Sequence, residues 1–218
     1  MSTPLLVIIG AGPGVSAGVA RRFGKEGFRI VLAARRAEAL EIYTKELTEL
    51  GIEAYPITAD AADPASLIAA FETIKQKYGA PDVLVYNAAV ISMVKPTDLT
   101  ESQLLDEFKV NVVGALTSAK QVIPDMLTRK QGTLLFTGGG LALAPSAAVS
   151  SLSIGKAGIR SLAFTLAEEL RPHGIYVGTV TIAGYVAKDS YYDPDAIAEQ
   201  YWLLHTNGNE TEFLYSQV

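Results

Sequence analysis

Three stretches of this chain carry residue types at spacings that can do chemistry. The first, IIGAGPGVSAGVARRFGKEG at residues 8–27, runs an apolar segment through closely spaced glycines into a helical pattern. Glycines permit a tight turn and close backbone approach, and a helix N-terminus offers unpaired N–H groups to an anion, so this is a phosphate-binding arrangement. Two registers compete. Gly10-x-x-x-Gly14-x-Ser16 ends on a serine, whereas Gly12-x-Gly14-x-x-Ala17 fits a dinucleotide fingerprint in its alanine-ending form. A glycine-rich turn without a ligand is the plain alternative.

The second stretch, VLAARRAEAL at 31–40, bears on which dinucleotide the turn would take. An acidic residue at the end of such a strand accepts hydrogen bonds from a ribose 2′-hydroxyl and favours NAD(H). Ala33 and Ala34 stand there instead, followed by Arg35 and Arg36. Guanidinium groups suit a 2′-phosphate through paired, charge-assisted bonds. The sequence therefore predicts NADP(H), preferred over NAD(H), with the two arginines as helix-start decoration as the competing reading. The third stretch, VSSLSIGKAGIRSLA at 149–163, reads as a helix with one lysine, Lys156, on a small and apolar face.

Those residues need a scaffold. Strand-like runs fall at 4–10, 28–34, 53–58, 82–86, 132–137, 175–181 and 212–216, and the near-continuous Val/Ile/Leu runs among them suit parallel strands covered on both faces. Helical patterns lie between them at about 14–26, 37–50, 64–78, 100–129 and 147–171, several starting or stopping at recognisable signals such as Asp63-Pro64, Gly51 and Gly79. Tyr201, Trp202, Leu203 and Leu204 read as a further helix packing on the sheet. Repeated strand–helix alternation implies an α/β fold, a Rossmann-like doubly wound parallel sheet, and no linker or repeat divides residues 1–218, so one domain is expected.

Composition narrows the function further. The chain has 218 residues, 49% of them hydrophobic and 19% charged, which suits a packed globular domain. A net charge of −5 argues against nucleic acid as a partner. The absence of cysteine excludes disulfides, thiolate nucleophiles and thiolate metal sites, and with only His173 and His205, far apart, no metal site is expected. The apolar N-terminal run is too short to span a membrane and runs straight into the glycine turn, so no membrane contact and a cytoplasmic location are expected. His205 sits near the end of the last helix, where a cation is mildly favoured.

With these motifs in order, the sequence resembles the short-chain dehydrogenase/reductase family over nearly its whole length. GAGPGVS is similar to the family's glycine motif in the spaced Gly10/Gly14 register, with Gly12, Val15 and Ser16 inside it. Asp60, followed by Ala61 in ITADAAD, corresponds to the aspartate that contacts the adenine ring. YNAAV is similar to the Asn-Asn-Ala-Gly segment, with Asn87 as its second asparagine and Ala88 next to it. Asn111 in KVNVVGA and Lys156 correspond to two members of the catalytic tetrad. The resemblance puts the tetrad tyrosine at Leu152 and the tetrad serine at Gly139.

In the family that tyrosine transfers the proton, the lysine lowers its pKa and the serine holds the substrate oxygen. Leucine and glycine do neither. Tyr185, in TIAGYVAK, is the candidate replacement, and its neighbours Gly184 and Val186 are expected beside the nicotinamide carboxamide. Val149 and Leu152 are expected to form an apolar wall there, and Lys156 to bind ribose hydroxyls. Tyr191 and Tyr192 stand in the loop that usually covers substrate. The resemblance also implies a homodimer or homotetramer built on the helices at 100–129 and 147–171. Three functions fit. They are an NADP(H)-dependent oxidoreductase with a non-standard active site acting on an unknown carbonyl or alcohol, a catalytically inactive NADP(H)-binding sensor or regulatory protein, and a scaffold that binds neither cofactor nor substrate.

Overall fold

The computed structural model describes residues 3–217. Seven parallel strands, β1 (Leu5–Ile9), β2 (Arg29–Ala34), β3 (Ala54–Thr58), β4 (Val83–Tyr86), β5 (Gly132–Gly139), β6 (Ile175–Ile182) and β7 (Glu212–Tyr215), form one sheet in the order β3-β2-β1-β4-β5-β6-β7. Every neighbouring pair is parallel. This is the doubly wound sheet expected from the sequence, with each strand within two residues of its predicted bounds.

The helices are α1 (Val15–Lys25), α2 (Ala37–Glu49), α3 (Pro64–Tyr78), α4 (Glu101–Phe108), α5 (Gly114–Arg129), α6 (Ser150–Leu170) and α7 (Pro194–Asn207). Because successive strand side chains point to opposite faces, β1 feeds two cores at once. Leu5, Val7 and Ile9 pack with Leu67 and Phe71 of α3, Ala119 of α5 and Ile159 of α6. Leu6 and Ile8 pack on the other face with Val19 and Phe23 of α1, Leu40 of α2 and Tyr201 of α7. All five β1 residues are buried, each contributing about 1.5–3 kcal/mol relative to exposure. The predicted packing helix around Tyr201 is α7, and Trp202 makes edge contacts with Phe23 and Phe28.

Two helices differ from the sequence expectation. The segment at 100–129 is not continuous: a π-helical turn, Lys109–Val113, separates α4 from α5. Widening the turn frees the Val110 carbonyl, and the Tyr86 hydroxyl donates to it at 2.5 Å. The helix at 147–171 begins only at Ser150, after a 3₁₀ turn at Ala147–Val149, because the Ser150 amide and hydroxyl both donate to the Val94 carbonyl, at 3.2 and 2.9 Å. Val149 therefore lies off the α6 face it was expected to share with Leu152. His205 also departs from expectation. Its Nδ1 lies 3.0 Å from Thr133 Oγ1, and burial lowers its pKa despite the opposing pull of Asp82, against the mild preference for a cation at that helix end.

Candidate functional site

The site follows from the sheet topology. Strand β1 has β2 on one side and β4 on the other, and the connections leave in opposite directions, so a cleft opens beyond the carboxyl ends of the strands. The backbone seams this point shut: the Gly10 and Ala11 amides donate to the Ala33 carbonyl, and those of Asn87 and Ala88 donate to the Ile9 carbonyl. Gly10 has φ +88°, and a Cβ there would collide with the Ala88 backbone, so only glycine suits this position.

A cavity of about 1310 Å³ fills the cleft. At one end lie Arg35 and Arg36, just past β2, with Asp60 and Ala61 past β3. Gly10, Gly14 and Val15 line its middle, together with Asn87 and Ala88. At the other end are Gly139, Leu152, Lys156, Gly184, Tyr185 and Val186. Residues far apart in sequence thus meet in one hollow.

Three sequence candidates sit differently. Gly12 and Ser16 do not line this cavity; they face a smaller hollow behind the turn, where the Ser16 hydroxyl accepts from the Gly12 amide at 2.8 Å and donates to the Gly12 carbonyl at 3.0 Å. Ser16 braces the turn. Asn111 lies behind the cavity wall, its Oδ1 accepting from the Val90 amide at 2.8 Å and its buried Nδ2 without a partner among the described residues. A side chain at Gly155 would strike Asn111, so that glycine lets the π turn approach α6.

The glycine turn meets the requirements of a dinucleotide. The α1 N-terminus has no side-chain cap, the Val15 and Ser16 amides have no acceptor among the described residues while that of Ala17 donates to the Gly14 carbonyl, and a Cβ at Gly12 or Gly14 would meet only open space. With two arginines at one end of the hollow and a lysine at the other, an elongated ligand bearing phosphates fits.

Lys156 is the singular group at the far end. Its Nζ donates to the Thr137 carbonyl at 2.8 Å, and its methylenes run beside Gly139, where a Cβ would sit 3.3 Å from them. Burial pushes its pKa down from 10.5 to about 8, with no carboxylate opposing the shift. Leu152 lies one turn earlier, buried, with its side toward the hollow. Tyr185 stands at the rim, 87% exposed, and its hydroxyl makes no hydrogen bond among the described residues. Tyr191 and Tyr192 are not in the lining; they pack edge to face with each other and against Tyr215. The ring of Tyr192 occupies the space a Cβ at Gly184 would need, and its hydroxyl donates to the Ala183 carbonyl at 2.7 Å.

Two polar groupings escape sequence reasoning. Tyr201 and Thr137 share a 2.7 Å hydrogen bond; the Thr137 hydroxyl donates to Asn87 Oδ1 at 2.9 Å and Asn87 Nδ2 donates to the Gly10 carbonyl at 2.9 Å. This chain ties α7 to the glycine turn through β5. The second grouping centres on buried Glu107 of α4, which accepts from Ser92 at 2.6 Å, from Gln103 at 2.8 Å and from Ser151 of α6. Burial works against its charge, but the three bonds outweigh burial and hold its pKa below the ordinary value. Glu107 thereby anchors the segment that carries Val90 and Ile91 along the cavity. The only sequence signal was Gln103 four residues ahead of Glu107 on one helix face. Among the described residues, no three His, Cys, Asp or Glu cluster as metal ligands, and no helix is long and apolar enough to cross a membrane.

Comparison with known proteins agrees with this geometry. A short chain dehydrogenase family profile matches residues 4–190. The oxidoreductase UcpA of Escherichia coli is 32% identical over 183 residues, covering 83% of this chain and 68% of UcpA. Among solved structures, a metagenomic short-chain oxidoreductase in complex with NADP superposes with a TM-score of 0.88 at 27% identity, covering 97% of this chain and 96% of that one. A variant actinorhodin polyketide ketoreductase with NADPH superposes with a TM-score of 0.90 at 26% identity, covering 97% of this chain and 95% of that one.

Proposed function

Because the chain belongs to the short chain dehydrogenase family, we propose that it is an NADP(H)-dependent oxidoreductase with a non-standard active site, acting on a carbonyl or alcohol in an apolar setting. The observation that carries this reading is the single hollow joining an uncapped glycine turn to Arg35 and Arg36 at one end and Lys156 at the other. The first-turn amides of α1 suit the pyrophosphate and the two arginines a 2′-phosphate, with no acid from β2 to repel it. NADP and NADPH in the two structural neighbours support the same choice. Asp60 and Ala61 would flank the adenine, and Gly184 and Val186 the nicotinamide. When bound, the nicotinamide supplies or accepts a hydride.

The departure from the family lies at its proton-handling positions. Leu152 and Gly139 stand where tyrosine and serine are expected, so the wall near the nicotinamide end has neither hydroxyl. That same observation favours a second reading, a cofactor-binding protein without turnover that senses or regulates. Exposed Leu116 of α5 and Ile154 and Phe164 of α6 support assembly into a homo-oligomer through these helices.

Parallel calorimetric titrations with NADP⁺ and NAD⁺, followed by NADPH oxidation across a carbonyl panel, test the assignment. Tight NADP⁺ binding with weaker NAD⁺ binding and substrate-dependent turnover is the expected result. Binding without turnover would select the regulatory reading, and no binding of either cofactor would overturn both.

A further inference from the structure

Resting on the oxidoreductase reading, we propose that Lys156 is itself the acid–base catalyst, its ammonium giving a proton directly to the substrate oxygen. The hollow leaves few rivals. Of its ionisable lining groups, Arg35, Arg36 and Asp60 lie at the opposite end, and Tyr185 stands in solvent at the rim. Leu152 closes the wall one helical turn before Lys156 and offers no proton. Gly139 puts no side chain between the lysine and the hollow; a serine there would press against the lysine methylenes.

The Lys156 ammonium uses one donor on the Thr137 carbonyl and makes no other hydrogen bond to the described residues, leaving two protons available to a ligand in the hollow it lines. The elements packed around it hold no free charge near it. Strand β5 carries no ionisable side chain, and on β6 Tyr176 bonds the Glu210 carbonyl at the far end of the strand, near Arg171 and His173. Lys109 of the π turn is paired with Asp106, Glu107 of α4 is engaged by Ser92, Gln103 and Ser151, and Arg160 of α6 is paired with Glu212. Burial alone therefore sets the acidity of Lys156, which brings it near working pH as an acid–base catalyst needs.

The step balances without another co-reactant. In reduction, hydride that the bound NADPH would supply reaches the carbonyl carbon, the π pair moves to oxygen, and oxygen takes a proton from Lys156, whose neutral amine is reprotonated by water. In oxidation the neutral amine takes the hydroxyl proton, the carbinol carbon gives up hydride that bound NADP⁺ would accept, and the ammonium returns its proton to solvent.

Lys156→Arg separates binding from proton transfer, because a guanidinium keeps the charge and donors but stays protonated at neutral pH. We expect it to bind NADP⁺ within about threefold of the wild-type protein by calorimetry while carbonyl reduction falls at least about 100-fold. A readout independent of turnover and of any variant's folding is ¹³C NMR of the reductively methylated wild-type protein, in which the Lys156 resonance should titrate near pH 8. A Lys156 resonance titrating above about 10 overturns the proposal. So does reduction by Lys156→Arg at near wild-type rate. NADP⁺ binding without any turnover overturns the proton-donor assignment alone, whereas no NADP⁺ binding by the wild-type protein overturns the cofactor reading and this assignment with it.

Discussion

Replacing Lys156 by methionine should change stability with a pH dependence that reports the burial of its charge. Burial lowers the ammonium's pKa from 10.5 to about 8. At about 1.36 kcal/mol per unit, this shift corresponds to at most about 3.4 kcal/mol of strain on the folded state. Lys156 is half-buried and lines the open hollow, so screening by solvent reduces the figure to about 2 kcal/mol. Methionine removes that cost but leaves the Thr137 carbonyl without its donor, a loss of about 1 kcal/mol. Lys156→Met should therefore be about 1 kcal/mol more stable at pH 7. Below pH 8 both folded and unfolded wild-type chains hold the proton and the cost is present in full. Between 8 and 10.5 the unfolded chain holds more protons than the folded one, so wild-type stability rises with pH. Above 10.5 the cost is gone, only the lost hydrogen bond remains, and the variant should be the less stable protein by about 1 kcal/mol. Urea unfolding of both proteins at pH 7 and pH 10.5 measures this crossover, because all other titrations are common to the pair. A stability difference unchanged between the two pH values would refute the premise that this charge is buried.

Three further outcomes follow from the same geometry. Arg35→Ala combined with Arg36→Ala should weaken NADP⁺ binding by about 10–100-fold in calorimetry, the value of one or two charge-assisted bonds, and leave NAD⁺ binding unchanged. Gly139→Ser with Leu152→Tyr should raise NADPH-dependent carbonyl reduction by at least about tenfold, since it restores a hydroxyl donor beside Lys156; the nearest obstacles to the serine are flexible lysine methylenes, which can shift. Tyr201→Phe should cost about 1–2 kcal/mol in urea unfolding, because it removes the buried donor from the chain that ends at the Gly10 carbonyl.

The sheet was legible because its signals are local. The apolar run at 4–10 and the glycines after it need no tertiary context to read as a buried strand and a turn, and the structure puts β1 at Leu5–Ile9 with Gly10 at positive φ. Where the prediction failed, a distant partner decided the local shape. The break at Lys109–Val113 depends on the Tyr86 hydroxyl reaching the Val110 carbonyl, and the late start of α6 depends on Ser150 finding Val94. Nothing within 100–129 or 147–171 announces either contact. Glu107 was hidden for the same reason: its sequence neighbours Glu101 and Asp106 are exposed, and only the packing of α6 on α4 buries it against Ser151. Asn111 was found through resemblance, but its place behind Val90 depends on the π turn that carries it.

The catalytic end illustrates the difference between reading an absence and reading its effect. That leucine stands at 152 and glycine at 139 is plain from the sequence, and the direct inference is loss of proton chemistry. The structure adds what those two residues do to the one that remains. Glycine at 139 lets the lysine lie flat on the end of β5 and reach the Thr137 carbonyl, while leucine at 152 presents a hydrocarbon wall one turn before it. The hydrocarbon wall offers the ammonium no polar partner, and lower solvation favours the neutral amine. The burial that lowers the Lys156 pKa is the same burial that makes its charge cost stability. If Lys156→Met gains no stability at pH 7 yet abolishes turnover, burial is not what tunes the lysine and its acidity must be set by bound cofactor. If it gains stability and abolishes turnover together, the site holds its proton donor in a strained state because the chemistry requires one.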